Sequence, residues 1–231
     1  MRGQIAEIRS RMPNVVYLED KGNDFNKIVK QLKEKYNVLA VCPGYDVSLE
    51  YVDRLSAALG VHCNDPKTTA LRKDKGWVAK QLLKNKIRTP ITAEFSLKSP
   101  IKATISRISK LIKTYPIVLK PFEGYGGVGV QIINHKNEFE KALKEYATFQ
   151  KTNPTMSAKF LAQEYINGEE GYLDFESFNG KHLLTDAWMY EKLQTVNRTL
   201  HKDLFLIMKN TPLLAKATAY CKKVLDAIGY K

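Results

Sequence analysis

The sequence predicts an α/β fold with α+β character, and three observations carry that expectation. Apolar runs alternate with amphipathic stretches over residues 15–60, the rhythm of a small parallel βαβα unit. Residues 115–134 set two apolar, β-branched runs on either side of a loop holding Gly124, Gly126, Gly127 and Gly129, as in a hairpin. Asn179-Gly180 joins two further alternating segments and is a strong type I′ hairpin signal.

The elements follow in order. Val15-Val16-Tyr17-Leu18 reads as a short strand, and residues 24–36 as a helix with Phe25, Ile28, Val29 and Leu32 on one face. Residues 38–42 (Val-Leu-Ala-Val-Cys) are continuously apolar, the mark of a strand buried on both sides. Pro43-Gly44 turns the chain into a helix over 47–59, with Leu49, Val52, Leu55 and Leu59 inward and Gly60 as its stop. Asn64-Asp65-Pro66 is a helix-start signal. An amphipathic stretch with Trp77, Val78, Gln81 and Leu82 then runs to about Asn85, and Pro90 closes it. Residues 101–113 form a helix on Ile101, Ile105, Ile108, Leu111 and Ile112. After the hairpin, Asn137 is placed as the cap of a helix that turns Phe139, Leu143 and Tyr146 inward, and 151–157 is a polar loop. Residues 160–166 are strand-like, 172–178 alternate, and 181–188 return from Asn179-Gly180. Thr211 caps the last helix, Pro212 opens it, Leu214, Ala217, Cys221, Val224 and Ile228 face inward, and Gly229 ends it.

The hairpin loop is too glycine-rich to be only a turn. Glycines let backbone N–H groups approach a ligand closely, and Lys120 at the end of the first run adds positive charge, a combination suited to a polyphosphate. The spacing also matches G-x-G-x-x-G, but a dinucleotide fold needs a helix directly after the loop, and Val130-Gln131-Ile132-Ile133 alternates like a strand instead. A kinase loop needs its lysine on a later strand and a D-F-G segment, and neither is present. An ordinary glycine-rich hairpin stays open on the loop alone. Asp174 and Glu176 on one strand face could hold a cation or simply meet solvent.

Bulk properties narrow the class. A chain of 231 residues with 44% hydrophobic content can bury a real core in one large or two small domains. No run of about 18 apolar residues exists to span a membrane, and the N-terminus lacks the apolar core of a signal peptide. Three cysteines, Cys42, Cys63 and Cys221, form no C-x-x-C pair and fit a reducing cytoplasm. The net charge of +13 raises nucleic-acid binding as a reading, but the lysines are spread over nearly every helix, with no dense basic block.

Read together, these segments resemble the ATP-grasp superfamily, in particular its stand-alone carboxylate–amine ligases, over most of the chain. The likeness includes Val41-Cys42-Pro43-Gly44, the stretch 53–60 and Asn64-Asp65-Pro66 in the part that precedes the grasp domain. Asp74-Lys75 matches the family's Asp-Lys pair heading a helix, and Tyr115-Pro116-Ile117-Val118-Leu119-Lys120-Pro121 matches its lysine strand. Gln163-Glu164-Tyr165-Ile166-Asn167-Gly168, followed by Glu170, resembles its adenine hinge.

The resemblance implies an ATP site. Lys75 and Lys120 would be its phosphate lysines, and Glu123, Gly124, Gly126, Gly127 and Val128 a flexible phosphate cover. Gln163, Glu164, Tyr165 and Ile166 would face adenine, Glu170 the ribose hydroxyls, and Asp174 would lie toward the substrate side. Residues 1–65 would be a partial, Rossmann-like domain preceding the grasp, 66–162 the small lid lobe with linker helices, and 163–231 an incomplete C-terminal lobe, with nucleotide between the two α+β lobes. The implied chemistry is amide or peptide bond formation from a small carboxylate, such as an amino acid, and an amine, through an acyl-phosphate. The family's magnesium carboxylates follow a helix like the last one here, so they are expected outside this chain, and no metal ligand is assigned within it. Val196-Asn197-Arg198 is only superficially similar to that metal motif, because it precedes the helix and lacks the glutamate. A non-catalytic nucleotide-binding module is therefore the alternative to an active ligase. The expected partners are ATP, Mg2+ and small carboxylate and amine substrates, with no membrane, in the cytoplasm, and a homodimer is allowed.

Overall fold

The chain divides into two units, residues 1–66 and 67–231. The computed structural model describes residues 15, 16, 18, 19, 22, 24–122, 129–152, 159–194, 199–208 and 211–231.

In the first unit, helices α1 (Phe25–Lys35) and α2 (Leu49–Leu59) pack together. Phe25 meets Tyr51 edge-on with centroids 5.6 Å apart, and the Arg54 guanidinium lies 4.7 Å from the Phe25 ring. Gly60 adopts φ +76°, so the chain leaves α2 through a left-handed residue that carries no Cβ penalty. The buried strand expected at 38–42 is not formed, and Leu39 is 81% exposed. Val15 and Val16 are likewise exposed and outside any strand, while Tyr17 lies outside the described residues. An extended segment becomes a strand only when a neighbour completes its backbone hydrogen bonds, and no strand is present among the described residues of this unit.

The second unit opens with α3 (Thr69–Lys73) and α4 (Lys75–Lys84), then β1 (Thr92–Ser96) and α5 (Ile101–Leu111). The hairpin strands β2 (Ile117–Pro121) and β3 (Gln131–Ile133) pair antiparallel, with Ile117 opposite Ile133. Helix α6 (Phe139–Thr152) and β4 (Lys159–Glu164) follow, and β4 inserts between β1 and β2 to give the antiparallel order β1-β4-β2-β3. The entry to α6 differs from expectation. A 3-10 turn over Lys136–Glu138, with His135 as its N-cap residue, replaces a direct cap at Asn137.

Burial alternates along β1 and β2, so one sheet face is apolar. Phe95, Ile117, Leu119, Ile133 and Phe160 on that face meet Ile108 of α5 and Phe139, Leu143 and Tyr146 of α6, as the helical periodicity predicts. Phe160 is the hub, 5.7 Å from the Phe95 ring and 4.5 Å from Tyr146. The Tyr146 hydroxyl donates to the Leu119 carbonyl at 2.9 Å and also reaches the Gly129 carbonyl, tying α6 to both ends of the hairpin loop. Val118 and Lys120 project from the opposite face.

A second antiparallel sheet has the order β5 (Gly171–Phe178), β6 (Lys181–Gln194) and β7 (Thr199–Leu206). Asn179 and Gly180 both have positive φ, as a type I′ turn demands. β6 runs six residues beyond the expected end at Trp188, because β7, which the sequence reading did not anticipate, pairs with its far half. Helix α7 (Pro212–Ile228) is capped by Thr211, whose hydroxyl accepts from Leu214 N at 3.1 Å. His182 joins the turn to this helix. Its Nδ1 lies 2.7 Å from the Ser177 hydroxyl and its Nε2 3.1 Å from Asp226, with the ring buried. Replacing His182 with leucine is expected to cost about 1–3 kcal/mol, since the half-buried Ser177 hydroxyl loses its partner. Urea denaturation of the intact chain checks this, and an unchanged midpoint would make the linkage ornamental.

Candidate functional site

Asp74 is where the site begins. It breaks the backbone between α3 and α4 with an extended conformation, and its carboxylate accepts from Trp77 N at 2.8 Å. This cap starts α4 at Lys75 and aims the first turn of the helix at the end of β2. The Lys75 ammonium donates to the carbonyl of Phe122, the residue after β2, over a long 3.4 Å. Gly76 permits the approach. A Cβ there would stand 2.5 Å from Glu94 Oε1 and 3.1 Å from the Phe122 ring, and Glu94 is held by Lys80 at 2.6 Å. Gly76→Ala is therefore expected to lift the start of α4 and cost about 1–3 kcal/mol, with a parallel loss of anion affinity. Thermal melts and nucleotide titrations of the same variant measure the two effects, and wild-type values in both would refute the packing argument.

Lys120 completes the pair. Its ammonium is driven below the ordinary lysine range by burial first and by the positive charge of Lys75 second. Two cations from separate elements thus converge where β2 enters the glycine loop. Like charges held near one another, one of them partly desolvated, favour the binding of an anion.

Lys75 and Lys120 are brought together. Gln163 lies opposite Val118 on β2 and so shares the face of Lys120, with its amide donating to the Thr92 hydroxyl at 2.8 Å. Glu164 is engaged structurally: its carboxylate accepts from Ile91 N at 3.1 Å and lies 3.9 Å from Arg88, fixing the lead into β1. Tyr165 is half-buried and Ile166 is 52% exposed, just beyond β4. Glu170 precedes β5 and is ion-paired with Lys192. Glu123, Gly124, Gly126, Gly127 and Val128 lie outside the described residues, as do Val196, Asn197 and Arg198. Gly129, at the loop's far end, has φ +72° and packs on Pro121, where a Cβ would fall 2.8 Å from the ring.

Sequence reasoning missed Lys192 as the partner of Glu170 and Asp186 as the residue facing Asp174. Both lie on β6, and only the pairing of that strand with β5 reveals them. Asp174 meets Asp186 across the ladder, next to a register shift. Among the described residues, no group of three or more His, Cys, Asp or Glu is arranged to hold a metal ion. No described helix is long and apolar enough to cross a membrane.

A four-stranded antiparallel sheet that carries Lys120, followed by a second, three-stranded antiparallel sheet, defines an α+β architecture. Residues 113–231, more than half of the chain, match the ATP-grasp domain family, and the chain belongs to that family. It is 21% identical over 200 residues to dapdiamide A synthase of Enterobacter agglomerans, covering 85% of this chain and 46% of that protein. Among solved structures, the L-amino acid ligase from Bacillus licheniformis superposes with a TM-score of 0.64 at 18% identity, covering 92% of this chain and 47% of that one. A biotin carboxylase–β-γ-ATP complex from Campylobacter jejuni superposes at 0.63 and 16% identity, covering 92% and 49%. At these identities the structural likeness shows the fold, and the chain spans about half the length of these relatives.

Proposed function

We propose that this chain binds ATP and serves an ATP-dependent ligase that joins a small carboxylate, such as an amino acid, to an amine through an acyl-phosphate. The observation that carries the reading is the convergence of Lys75 and Lys120, two ammonium groups whose combined charge favours a polyanion. In this reading the two lysines hold the phosphates under a cover made by Glu123, Gly124, Gly126, Gly127 and Val128. Gln163, Glu164, Tyr165 and Ile166 border the adenine, and Glu170 shares its carboxylate between Lys192 and the ribose hydroxyls. The ligase half of the proposal is supported by the relatives, one an L-amino acid ligase and another a dapdiamide A synthase. Magnesium would neutralise charge during phosphoryl transfer. The described residues do not form a site for it, and no step is assigned to it.

Isothermal titration with ATP, and with adenosine as the phosphate-free control, tests the first half. ATP must bind and adenosine must bind far more weakly; equal affinities would remove the phosphate role of the lysines. ADP release that depends on an added amino acid tests the second half. Nucleotide binding without any such release would favour a non-catalytic binding module.

A further inference from the structure

Strand β1 is an edge of the first sheet, paired with β4 on one side and, among the described residues, with no strand on the other. The pairing fixes where its main-chain groups point. Glu164 N donates to the Ile91 carbonyl at 2.9 Å, so Ile91, Ala93 and Phe95 direct their backbone groups into β4. Thr92 and Glu94 therefore turn their N–H and C=O groups outward from the sheet. The Glu94 carbonyl is already engaged, because the Arg107 guanidinium of α5 donates to it. Beyond it the edge closes, where Ser99 N donates to the Ser96 carbonyl at 3.0 Å.

The outward groups line a groove of about 400 Å³, with α4 on one flank and α5 on the other. Side-chain alternation along β1 gives the flanks different chemistry. Thr92 and Glu94 project toward α4, whose Gly76 backs on Glu94, and this flank is apolar at Ala79 and Leu83. Ala93 and Phe95 project toward α5, which offers Leu111 and Arg107. Leu83 and Leu111 are 61% and 48% exposed, so the groove carries apolar surface that water now covers. Its charges do not balance. Lys80 is matched by Glu94 at 2.6 Å, whereas Arg107 meets only a main-chain carbonyl among the described residues. One guanidinium is left for an incoming acid.

We infer that β1 accepts an added strand, an extended segment of a partner protein in which aliphatic and acidic residues alternate. Its main chain pairs with Thr92 and Glu94, and its aliphatic side chains lie against Ala79 and Leu83. A carboxylate on the other face draws Arg107 off the Glu94 carbonyl, which frees that acceptor for an N–H of the partner. Nucleic acids and lipid surfaces carry no row of alternating N–H and C=O groups, so the outward main chain selects a protein. The inference needs neither nucleotide binding nor ligase activity.

Amide hydrogen exchange of the intact chain, read residue by residue by NMR, tests it. In the free protein Ala93 and Phe95 should exchange slowly, and Thr92 and Glu94 about tenfold faster or more. Saturation with the blocked peptide acetyl-Val-Glu-Val-Glu-Val-amide should slow Thr92 and Glu94 by about tenfold or more. Arg107→Gln should weaken peptide binding about fivefold, and glutamine in place of both peptide glutamates about tenfold. Leu83→Glu, a change at an exposed position, sets an acid in the groove and should also weaken it about tenfold. No binding, or binding that leaves exchange at Thr92 and Glu94 unchanged, would overturn the inference. So would equal binding of the glutamine peptide. Protection of Thr92 and Glu94 that grows with protein concentration in the absence of peptide would put a second copy of this chain in the groove, and would overturn it as well.

Discussion

Lys120→Ala is expected to weaken ATP binding by about 10- to 100-fold, the equivalent of one charge-assisted contact to phosphate. The same change should leave the unliganded protein as stable as before or slightly more so. The side chain is half-buried beside Lys75, and its removal relieves a desolvated charge facing a like charge. This opposition of stability and binding distinguishes a functional lysine from a structural one. The pH dependence follows with a definite sign. Lys120 gives up its proton below the ordinary lysine pKa when folded, whereas the unfolded chain keeps it to the ordinary value. In that alkaline window the unfolded state binds more protons, so the free protein gains stability as pH rises. Nucleotide affinity falls over the same window, because the phosphates need the ammonium form. Isothermal titration across the alkaline range measures this, and affinity independent of both pH and the Lys120 side chain would end the proposal.

Phe160→Ala should have the largest effect on stability, a loss of about 3–5 kcal/mol from a large cavity in a well-packed core. Phe160 sits on the central strand β4, 1% exposed, touching Phe95 from β1 and Tyr146 from α6. The cavity would open at the place where sheet and helix meet, and neither can collapse into it without breaking the strand pairing. For a unit of this size the melting temperature should fall by on the order of 10 °C. Calorimetry checks the figure. A drop of only a degree or two would mean that the core relaxes freely and that the hub role given to Phe160 is wrong.

Local chemistry explains which parts of the fold were legible beforehand. Asn179-Gly180 announced its turn because few other dipeptides tolerate two positive φ values. Thr211-Pro212 and Gly229 bracketed α7 because capping is satisfied within a few residues. Phe139, Leu143 and Tyr146 showed their buried face by helical spacing alone. Strands whose existence depends on distant partners are the least legible. β1 and β7 pair although nothing in their own residues marks them, and 38–42 has the pattern of a strand yet forms none. A strand's hydrogen bonds lie in another segment, and no pattern in its own residues reports whether that segment arrives.

The site divides along the same line. Which residue types could handle a nucleotide was written in the sequence: Lys120 before four glycines, Asp74-Lys75 at a helix start, Glu164 and Glu170 around a turn. Their relations were not. Only tertiary structure set Lys75 against Lys120, gave Glu170 the partner Lys192, and faced Asp174 with Asp186. Identity and spacing are properties of the chain, whereas a pKa or an ion pair depends on what another element brings within a few ångströms.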